Sequence, residues 1–425
     1  MGSSLDALHA GVNESLRHQL AAWYNVGVQA VRGETILPRY GTVAAGAWHF
    51  RRGDRKLVMP LPDRVRDGRL RLIGLGKAAL GMARGMRASL RTGGIDIDDG
   101  FLVVRDASHV IIDEPWNVHV GDHPVPGPAS LRAAQALLEF IDVPRVQDVY
   151  VVLLSGGASA LCALPAPGVT LEEKIRITRE LMQCGAPIAE LNRARRQLSA
   201  IKGGKLAERL APAKFCTLAI SDVPNDDPAV IGSAPTWSDD KSDPYTVVAT
   251  LDDALTAIAT VAACTCEVVV LGRCVYSSLT VEVERILERI DQALAAPRSP
   301  SQTRLLLAGG EPLVEIHGGG RGGRAQEFAL RLGLALGERA RTDRRYAAVC
   351  GLVAGTDGSD GPTEAAGAFF DAALAERVRT ARLDAATALA ASDSNAALRA
   401  SGDVFVTGST GTNVADVLMV AVTSR

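Results

Sequence analysis

The sequence predicts an α/β protein of two domains with mostly parallel sheets. A chain of 425 residues is longer than one hydrophobic core usually serves, so two domains are the expected division. Short apolar runs alternate with segments of helical periodicity, which is the pattern of a doubly wound parallel sheet. The 42 glycines lie mostly at the ends of the apolar runs, where strand-to-helix turns need them.

Each element is assigned from the spacing of its apolar residues. Helices are predicted where these residues recur at helical spacing: 5–32, 78–90, 129–141, 171–182, 251–263 and 281–295. Strands are predicted at apolar runs that end in glycine or polar turns: 69–75, 101–104, 149–154, 215–220, 268–272, 304–308, 346–353 and 404–407. The polar, proline-containing segment 237–244 is the expected junction, so the domains are predicted at residues 1–240 and 241–425.

The charge balance and the cysteines limit the class of protein. The 46 basic and 48 acidic residues give a formal net charge of −2, which argues against a general nucleic-acid-binding surface. No apolar run reaches the ~18 residues of a membrane helix, and the first residues lack the regions of a signal peptide. The seven cysteines show no paired metal spacing, so free thiols are expected. We therefore expect a cytoplasmic protein with no membrane or nucleic-acid partner.

Polar, glycine-rich turns follow the predicted strands. Ligands bind beyond the carboxyl ends of the strands in open α/β sheets, so these turns form the candidate site. In chain order they contain Lys77, Ser155 to Ser159, Ser221-Asp222, Gly309 to Glu311, Gly355 to Gly358 and Thr407 to Asn413. Their lysine, acid and hydroxyl residues predict an anionic, phosphate-rich ligand in a cleft between the domains. For the turn Ser155-Gly156-Gly157 taken alone, the alternative is a tight bend that binds nothing.

A basic segment adds positive charge beside a glycine pair. Arg195, Lys202 and Lys205 surround Gly203-Gly204, where the backbone permits close approach of a ligand. A solvated helix face has the same composition and is the competing interpretation.

The turn Gly74 to Ala79 matches the dinucleotide pattern G-x-G-x-x-A, which is weak evidence. The acid expected about 20 residues later is missing, since Asp106 lies about 30 residues on. A lysine in this turn instead suits a carboxylate or phosphoryl oxygen. No P-loop and no G-x-S-x-G elbow is present. His123 lies in a Pro/Gly-rich loop, where a structural role is at least as strongly indicated as a catalytic one.

Six blocks of the sequence resemble the class II glycerate kinase family, in that family's order and over most of the chain. They are residues 154–161, 192–207, 221–228, 322–327, 355–363 and 407–414. The resemblance implies two Rossmann-like α/β domains, the C-terminal one of the MOFRL type, and ATP-dependent phosphorylation of D-glycerate at its C2 hydroxyl. Four positions depart from the family pattern: Asn225, Ala234, Ala325 and Ser409 stand where Gly, Gly, Asn and Pro are usual.

The residues and the resemblance together assign a site. Lys77 and Arg195 are expected to hold the glycerate carboxylate and the transferring phosphoryl group, and Asp222 to accept the proton of the C2 hydroxyl or to orient that hydroxyl. The expected substrate- and phosphate-binding residues are Ser155, Gly156, Gly157, Ser159, Asn192, Lys202, Gly203, Arg324, Thr410 and Asn413. ATP is the expected cofactor, with Mg²⁺ held mostly by phosphate oxygens and water and by one or two of Glu311, Asp357 and Asp360.

Several alternatives stay open at this point. Asp222 has the alternative role of a turn residue, and Thr410, Thr412 and Asn413 that of capping a final helix from near Val414. An NAD(P)H-dependent hydroxypyruvate reductase is the second enzyme class, and a non-catalytic sensor of small acids is the third. A homodimer is an open alternative for the assembly.

Overall fold

A computed structural model describes residues 2–108, 114–184, 188–238, 244–297 and 303–423. The chain forms two compact units. The parallel-sheet unit comprises Val31–Thr250 and Gly411–Val414, and the mixed-sheet unit comprises Met1–Ala30, Leu251–Thr410 and Ala415–Arg425. This grouping differs from the predicted continuous segments 1–240 and 241–425, because the chain crosses between the units near each end.

The helices and strands of the described ranges follow in chain order. The strands are β1 (Gly41–Ala44), β2 (Ala47–Arg52), β3 (Arg55–Pro60), β4 (Leu70–Leu75), β5 (Asp99–Val104), β6 (Trp116–Val120), β7 (Val149–Leu154), β8 (Lys214–Ile220), β9 (Tyr245–Ala249), β10 (Glu267–Val275), β11 (Arg304–Gly310), β12 (Val349–Gly355), β13 (Gly367–Asp371), β14 (Val404–Phe405) and β15 (Asp416–Val422). The helices are α1 (Gly2–Ala30), α2 (Gly33–Tyr40), α3 (Ala79–Arg91), α4 (Pro128–Ile141), α5 (Ala158–Leu161), α6 (Leu171–Gln183), α7 (Ile188–Gln197), α8 (Lys205–Leu210), α9 (Leu251–Ala262), α10 (Leu279–Ala295), α11 (Arg324–Ala340), α12 (Leu374–Thr380), α13 (Ala385–Ala390) and α14 (Ser394–Ala400). None of the described helices combines the length and hydropathy that crossing a membrane requires.

The parallel-sheet unit confirms the doubly wound prediction. Its six strands lie in the order β6-β5-β4-β7-β8-β9, and all neighbouring pairs are parallel. The strand order reverses between β4 and β7, so the crevice at their carboxyl ends is the topological switch point where such sheets bind ligands. Every residue of β4 and β7 is buried, as expected for strands covered on both faces.

A small antiparallel sheet, β1-β2-β3, belongs to the same unit and was not predicted. The buried Trp48 of β2 donates its indole N–H to Ser89 Oγ of α3 at 2.8 Å. Adjacent basic residues, Arg51-Arg52 at the end of β2 and Arg55-Lys56 at the start of β3, interrupt the apolar pattern, which is why periodicity did not reveal these strands.

The mixed-sheet unit corrects the expectation of mostly parallel pairing. Its strands lie in the order β10-β11-β15-β12-β13-β14, and β10-β11 is the parallel pair while the others are antiparallel. The expected helix from near Val414 is also wrong, because that segment is the central strand β15. The residues Val417 to Val422 are all buried and pair with strands β11 and β12 on either side. A surface helix would alternate buried and exposed residues, whereas this continuous apolar run suits a strand covered on both faces.

Both faces of the mixed sheet are covered. Alternate strand residues such as Leu305, Leu352 and Met419 pack against α1 and α9, and those between them pack against α10 and α11. Tyr24 of α1 lies in the layer between the sheet and helices α1 and α9, and its hydroxyl donates to the Gly355 carbonyl at 2.7 Å.

A buried ion-pair network joins α1, β13 and α12 in this unit. The Arg377 guanidinium lies 2.8 Å from the Asp371 carboxylate and 2.7 Å from that of Asp403, and Arg17 also contacts both carboxylates. The two aspartate side chains are 2% and 0% exposed, so they depend on the two arginines for compensation of their charge.

We expect the substitution Arg377→Met to lower the free energy of unfolding by about 2–4 kcal/mol, because two buried carboxylates would then share one arginine. Urea denaturation measures the change. Arg379 lies on the same helix but is 76% exposed and pairs with Glu376, so Arg379→Met is the matched control. Its effect should stay within about 0.5 kcal/mol, and equal losses in the two variants would contradict the assigned role of the network.

Candidate functional site

The turns that follow β4 and β7 are hydrogen-bonded to each other at the switch point. The Lys77 N–H donates to the Gly156 carbonyl, and the Ser155 N–H donates to the Leu75 carbonyl, both at 3.0 Å. Ser155 Oγ accepts the Ala78 N–H at 3.0 Å. Ser155, predicted to bind phosphate, is thus buried and holds the two turns together.

Close packing of the turns leaves no room for a side chain at Gly76. Its φ is +122°, and an added Cβ would lie 2.5 Å from the Ser155 carbonyl oxygen. Both features demand glycine, so the two turns can approach each other only with this residue between them.

Asp222 and Asn413 lie against Gly156. A Cβ added at Gly156 would meet Asp222 Oδ2 at 1.8 Å and Asn413 Nδ2 at 2.4 Å. Asn413 Nδ2 donates to Asp222 Oδ2 at 2.8 Å, which fixes the orientation of the carboxylate at the end of β8. Asn413 comes from the short segment Gly411–Val414, which Thr412 anchors by donating its hydroxyl to the Val31 carbonyl at 2.8 Å.

Lys77 and His123 lie against Gly157. This glycine has a φ of +82°, and an added Cβ would lie 3.2 Å from Lys77 Cγ and from His123 Cδ2. The turn Gly156-Gly157 therefore has four polar side chains around it: Lys77, His123, Asp222 and Asn413. The sequence supplied Lys77, Asp222 and Asn413 as candidates, whereas His123 was left with a structural alternative.

The predicted phosphate-binding residue Ser159 lies in a buried polar cluster. Lys202 Nζ donates to Ser159 Oγ at 2.6 Å, and the Ser159 and Ser233 hydroxyls are 3.0 Å apart. Burial, with the positive charges of Lys174 and Arg195, holds the pKa of Lys202 well below its ordinary value. Burial and neighbouring positive charges therefore disfavour the charged form of Lys202, and a bound anion would favour it.

Arg195 belongs to this basic cluster. It lies on α7 with the buried Asn192, and burial lowers its pKa. Burial also lowers the pKa of Lys174 to about 8, with smaller contributions from Lys205 and Arg195. The Lys174 and Lys205 ammonium groups donate to carbonyls at the C-terminal end of α7, which is a favourable position for cations.

A cavity of about 300 Å³ adjoins the basic cluster within the parallel-sheet unit. Its walls include Arg196, Lys202, Gly203, Lys205 and Trp237. Gly203 has a φ of +64°, and its N–H donates to the Ser233 carbonyl at 3.2 Å. Lys202 and Gly203 were predicted together, and the structure does bring them to one cavity.

The mixed-sheet unit holds the other predicted residues. Arg324, the first residue of α11, donates to Asp416 Oδ2 and to Glu311 Oε1, each at 2.6 Å. Burial alone would lower the pKa of Arg324, but the Asp416 and Glu311 carboxylates outweigh it and raise that pKa above its ordinary value. Thr410 Oγ1 donates to the Thr356 carbonyl at 2.6 Å, which fixes the loop before β15.

Asp360 has a different role from the predicted metal ligand. Its carboxylate accepts the Ala325 N–H at 3.1 Å and the Gln326 N–H at 2.8 Å, and it also accepts the Gln326 side-chain amide. Burial, and then the nearby Asp416, raise its pKa to about 6. Asp360 thus holds the start of α11 and thereby the position of Arg324.

The three carboxylates predicted as metal ligands do not converge. Within the described ranges, no group of three or more His, Cys, Asp or Glu side chains is placed to hold a metal ion. Asp357 Oδ1 accepts the Ser359 N–H at 2.9 Å, and Glu311 pairs with Arg324. These three carboxylates therefore do not form a metal site from protein side chains alone within the described ranges.

The depressed pKa of Lys174 predicts a pH dependence of stability. The unfolded state binds more protons than the folded state between pH 8 and 10.5, so folding becomes more favourable as the pH rises through this range. Relative to Lys174→Met, the wild-type free energy of unfolding should increase by up to about 3 kcal/mol across that window.

Urea denaturation at pH 7.5 to 10 measures this difference. Lys214, an exposed lysine at the start of β8, provides the control Lys214→Met for loss of a lysine. A wild-type advantage over Lys174→Met that falls as the pH rises would contradict the assigned burial cost.

Two family models match most of the chain. DUF4147, described as a domain of unknown function, matches residues 19–263, and the MOFRL family matches residues 304–416. Among curated relatives, a D-glycerate 2-kinase of Thermotoga maritima is 32% identical over 408 residues, which cover 86% of this chain and 93% of the relative. A relative from Agrobacterium vitis, with a provisional hydroxypyruvate reductase name, is 33% identical over 85% of this chain and 89% of its own.

The fold matches a solved structure of the same kind. A crystal structure of a Thermotoga maritima glycerate kinase superposes with a TM-score of 0.75 and 28% identity, covering 96% of this chain and all of the other. The chain therefore belongs to the glycerate kinase family that combines the DUF4147 and MOFRL domains.

Proposed function

We propose that this protein is a glycerate 2-kinase, which transfers the γ-phosphoryl group of ATP to the C2 hydroxyl of D-glycerate and releases 2-phosphoglycerate and ADP. The observation that carries the proposal is the oriented carboxylate of Asp222 beside Gly156, one residue from the turn position that Lys77 flanks. A base and a cation beside one backbone turn at the switch point suit a small hydroxy acid. Membership of the glycerate kinase family narrows that acid to glycerate.

Asp222 acts as the proton acceptor in this mechanism. As the C2 oxygen bonds to the γ-phosphorus, the bond from that phosphorus to the ADP oxygen breaks, and the hydroxyl proton passes to the Asp222 carboxylate. The Asn413 amide holds one carboxylate oxygen at 2.8 Å, so the base is oriented before the substrate arrives.

Lys77 and the basic cluster bind the anions. Lys77 follows β4 directly and lies against Gly157, where its ammonium group serves a carboxylate or phosphoryl oxygen. Lys202 and Arg195 provide a second group of basic side chains, proposed for phosphate groups, and Gly203 lies beside Lys202 in the wall of the cavity. Stabilisation of charge by positioned cations is the main requirement of phosphoryl transfer.

The nucleotide side of the proposal includes residues of the mixed-sheet unit. Arg324 and Thr410 are proposed phosphate-binding residues, and Glu311 and Asp357 are the carboxylates proposed for the Mg²⁺ that accompanies ATP. Bound Mg²⁺ neutralises phosphate charge. Asp360 is left out of this set because its carboxylate is buried and each of its two oxygens accepts a backbone N–H group at the start of α11.

A cytoplasmic location is part of the proposal. The seven cysteines are all free, and several of them are buried, which suits a reducing compartment. Burial raises the pKa of the Cys162 and Cys216 thiols to about 12, so these groups stay protonated and unreactive at neutral pH.

A coupled assay of ADP release tests the function. We expect ADP release that depends on D-glycerate, with lower rates for other hydroxy acids. Oxidation of NADH in the presence of hydroxypyruvate would instead support the reductase. The structure gives that alternative little support, because Asp106, the acid nearest to the end of β5, accepts the Ser108 N–H and hydroxyl at 2.8 and 2.7 Å. Absence of ADP release with every acid would overturn the kinase proposal.

Replacement of the proton acceptor should lower turnover far more than substrate affinity. We expect Asp222→Asn to reduce kcat by about 10²–10⁴-fold, because the amide cannot take the hydroxyl proton. The control is Asp227→Asn in the same loop, where the side chain accepts the Ala229 N–H at 2.9 Å and an Asn oxygen can replace it. An unchanged kcat in Asp222→Asn would refute the role of Asp222.

A further inference from the structure

The four polar side chains around the turn Gly156-Gly157 are divided by charge. Asp222 and Asn413 lie on the Gly156 side, and Lys77 and His123 lie on the Gly157 side. A substrate laid across the turn therefore meets a carboxylate at one end and nitrogen-bearing side chains at the other. The two ends are consecutive Cα positions, about 3.8 Å apart.

The position of the His123 ring near Gly157 suits a hydrogen bond to a ligand. The site that a Cβ of Gly157 would occupy lies 3.3 Å from His123 Nε2 and 3.2 Å from Lys77 Cγ. Because Gly157 has no side chain, a ligand oxygen in contact with this glycine would lie on the side that the imidazole Nε2 and the Lys77 side chain border. A side chain at this position would fill the same space, and the left-handed φ of +82° also favours glycine there.

The backbone of the His123 loop is fixed by its neighbours. Asp122 accepts the N–H groups of Ala129 and Ser130 at the start of α4, at 2.8 and 3.2 Å. Its own N–H donates to Ser130 Oγ at 2.8 Å, and the Gly121 N–H donates to the Val104 carbonyl at 3.0 Å. These bonds hold the loop to the end of β5 and to the start of α4. The backbone that carries the His123 imidazole is therefore fixed beside the turn.

From this division of charge we infer that His123, together with Lys77, binds the carboxylate of the hydroxy acid over Gly157 and so directs the C2 hydroxyl to Asp222 over Gly156. The inference rests on the proposed function and names the residue that selects the acid and the position phosphorylated. In glycerate the C2 hydroxyl is one bond nearer to the carboxylate than the C3 hydroxyl is. The Asp222 side and the His123 side of the turn are one residue apart, and this short separation suits the C2 hydroxyl, which is the hydroxyl nearer to the carboxylate.

Direct binding tests this role without turnover. Calorimetric titration compares D-glycerate with its uncharged amide, glyceramide, on wild type and on His123→Gln. Loss of a charge-assisted hydrogen bond should weaken glycerate binding by about tenfold or more, while glyceramide binding changes little. His49→Gln is the matched control, because His49 lies on β2 and its Nε2 pairs with the Ala44 carbonyl at 3.1 Å.

A second variant guards against loss of folding. His123→Lys places a cationic donor at this position and should recover part of the preference for glycerate over glyceramide, which a purely structural role for the imidazole would not allow. In turnover assays His123→Gln should raise KM for glycerate with a smaller change in kcat, and it should increase the share of product phosphorylated at C3.

The outcomes separate this inference from the proposed function. An unchanged ratio of glycerate to glyceramide affinity in His123→Gln would overturn the inference even if the wild type phosphorylates glycerate. The inference also fails if the wild type shows no preference for glycerate over glyceramide, or if neither His123→Gln nor His123→Lys folds. A His123-dependent preference in a protein that releases no ADP would support the inference and refute the kinase.

Discussion

The hydrogen bonds between the turns after β4 and β7 are the constraint on which the site depends. The Lys77 N–H donates to the Gly156 carbonyl, and the Ser155 N–H donates to the Leu75 carbonyl. The Ala78 N–H donates to Ser155 Oγ and adds a third link between the turns. Leu75, Ala78, Ser155 and Gly156 are buried, so leaving one of their backbone groups unpaired would cost about 1–3 kcal/mol. The same bonds fix where Gly156 and Gly157 lie, and those two glycines set the positions available to every side chain around them.

Stability and function are separated along the two sheets. Lys77 and Asp222, which carry proposed chemistry, lie just beyond strand ends, where glycines allow the chain to turn closely. Fold-stabilising charges lie elsewhere, as in the buried pairs that Arg17 and Arg377 make with Asp371 and Asp403. Two residues predicted as ligands also stabilise the fold, since Ser155 joins the two turns and Asp360 holds the start of α11.

The sequence was sufficient to predict those strands and turns that depend on residues adjacent in the chain. Short runs rich in apolar residues predicted β4, β7 and β8, and the glycines or polar residues after them predicted the strand-end turns. It was insufficient where pairing is distant: β15 followed a Thr-Gly-Thr-Asn segment that resembles a helix cap, and its antiparallel position depends on strands more than 60 residues away. Asn413 and Asp222 are 191 residues apart, so no local pattern joins them. One family departure has a visible consequence, since Ala234 adopts a φ of +58°, where glycine is unstrained.

The position of the new phosphate ester is the sharpest test of the proposed site, because the turn should present the C2 hydroxyl and not the C3 hydroxyl to Asp222. Phosphorus NMR of the product formed from D-glycerate and ATP distinguishes the two. We expect a resonance split by the single C2 proton into a doublet, as in 2-phosphoglycerate. A resonance split by the two C3 protons into a triplet, as in 3-phosphoglycerate, would contradict the proposed arrangement.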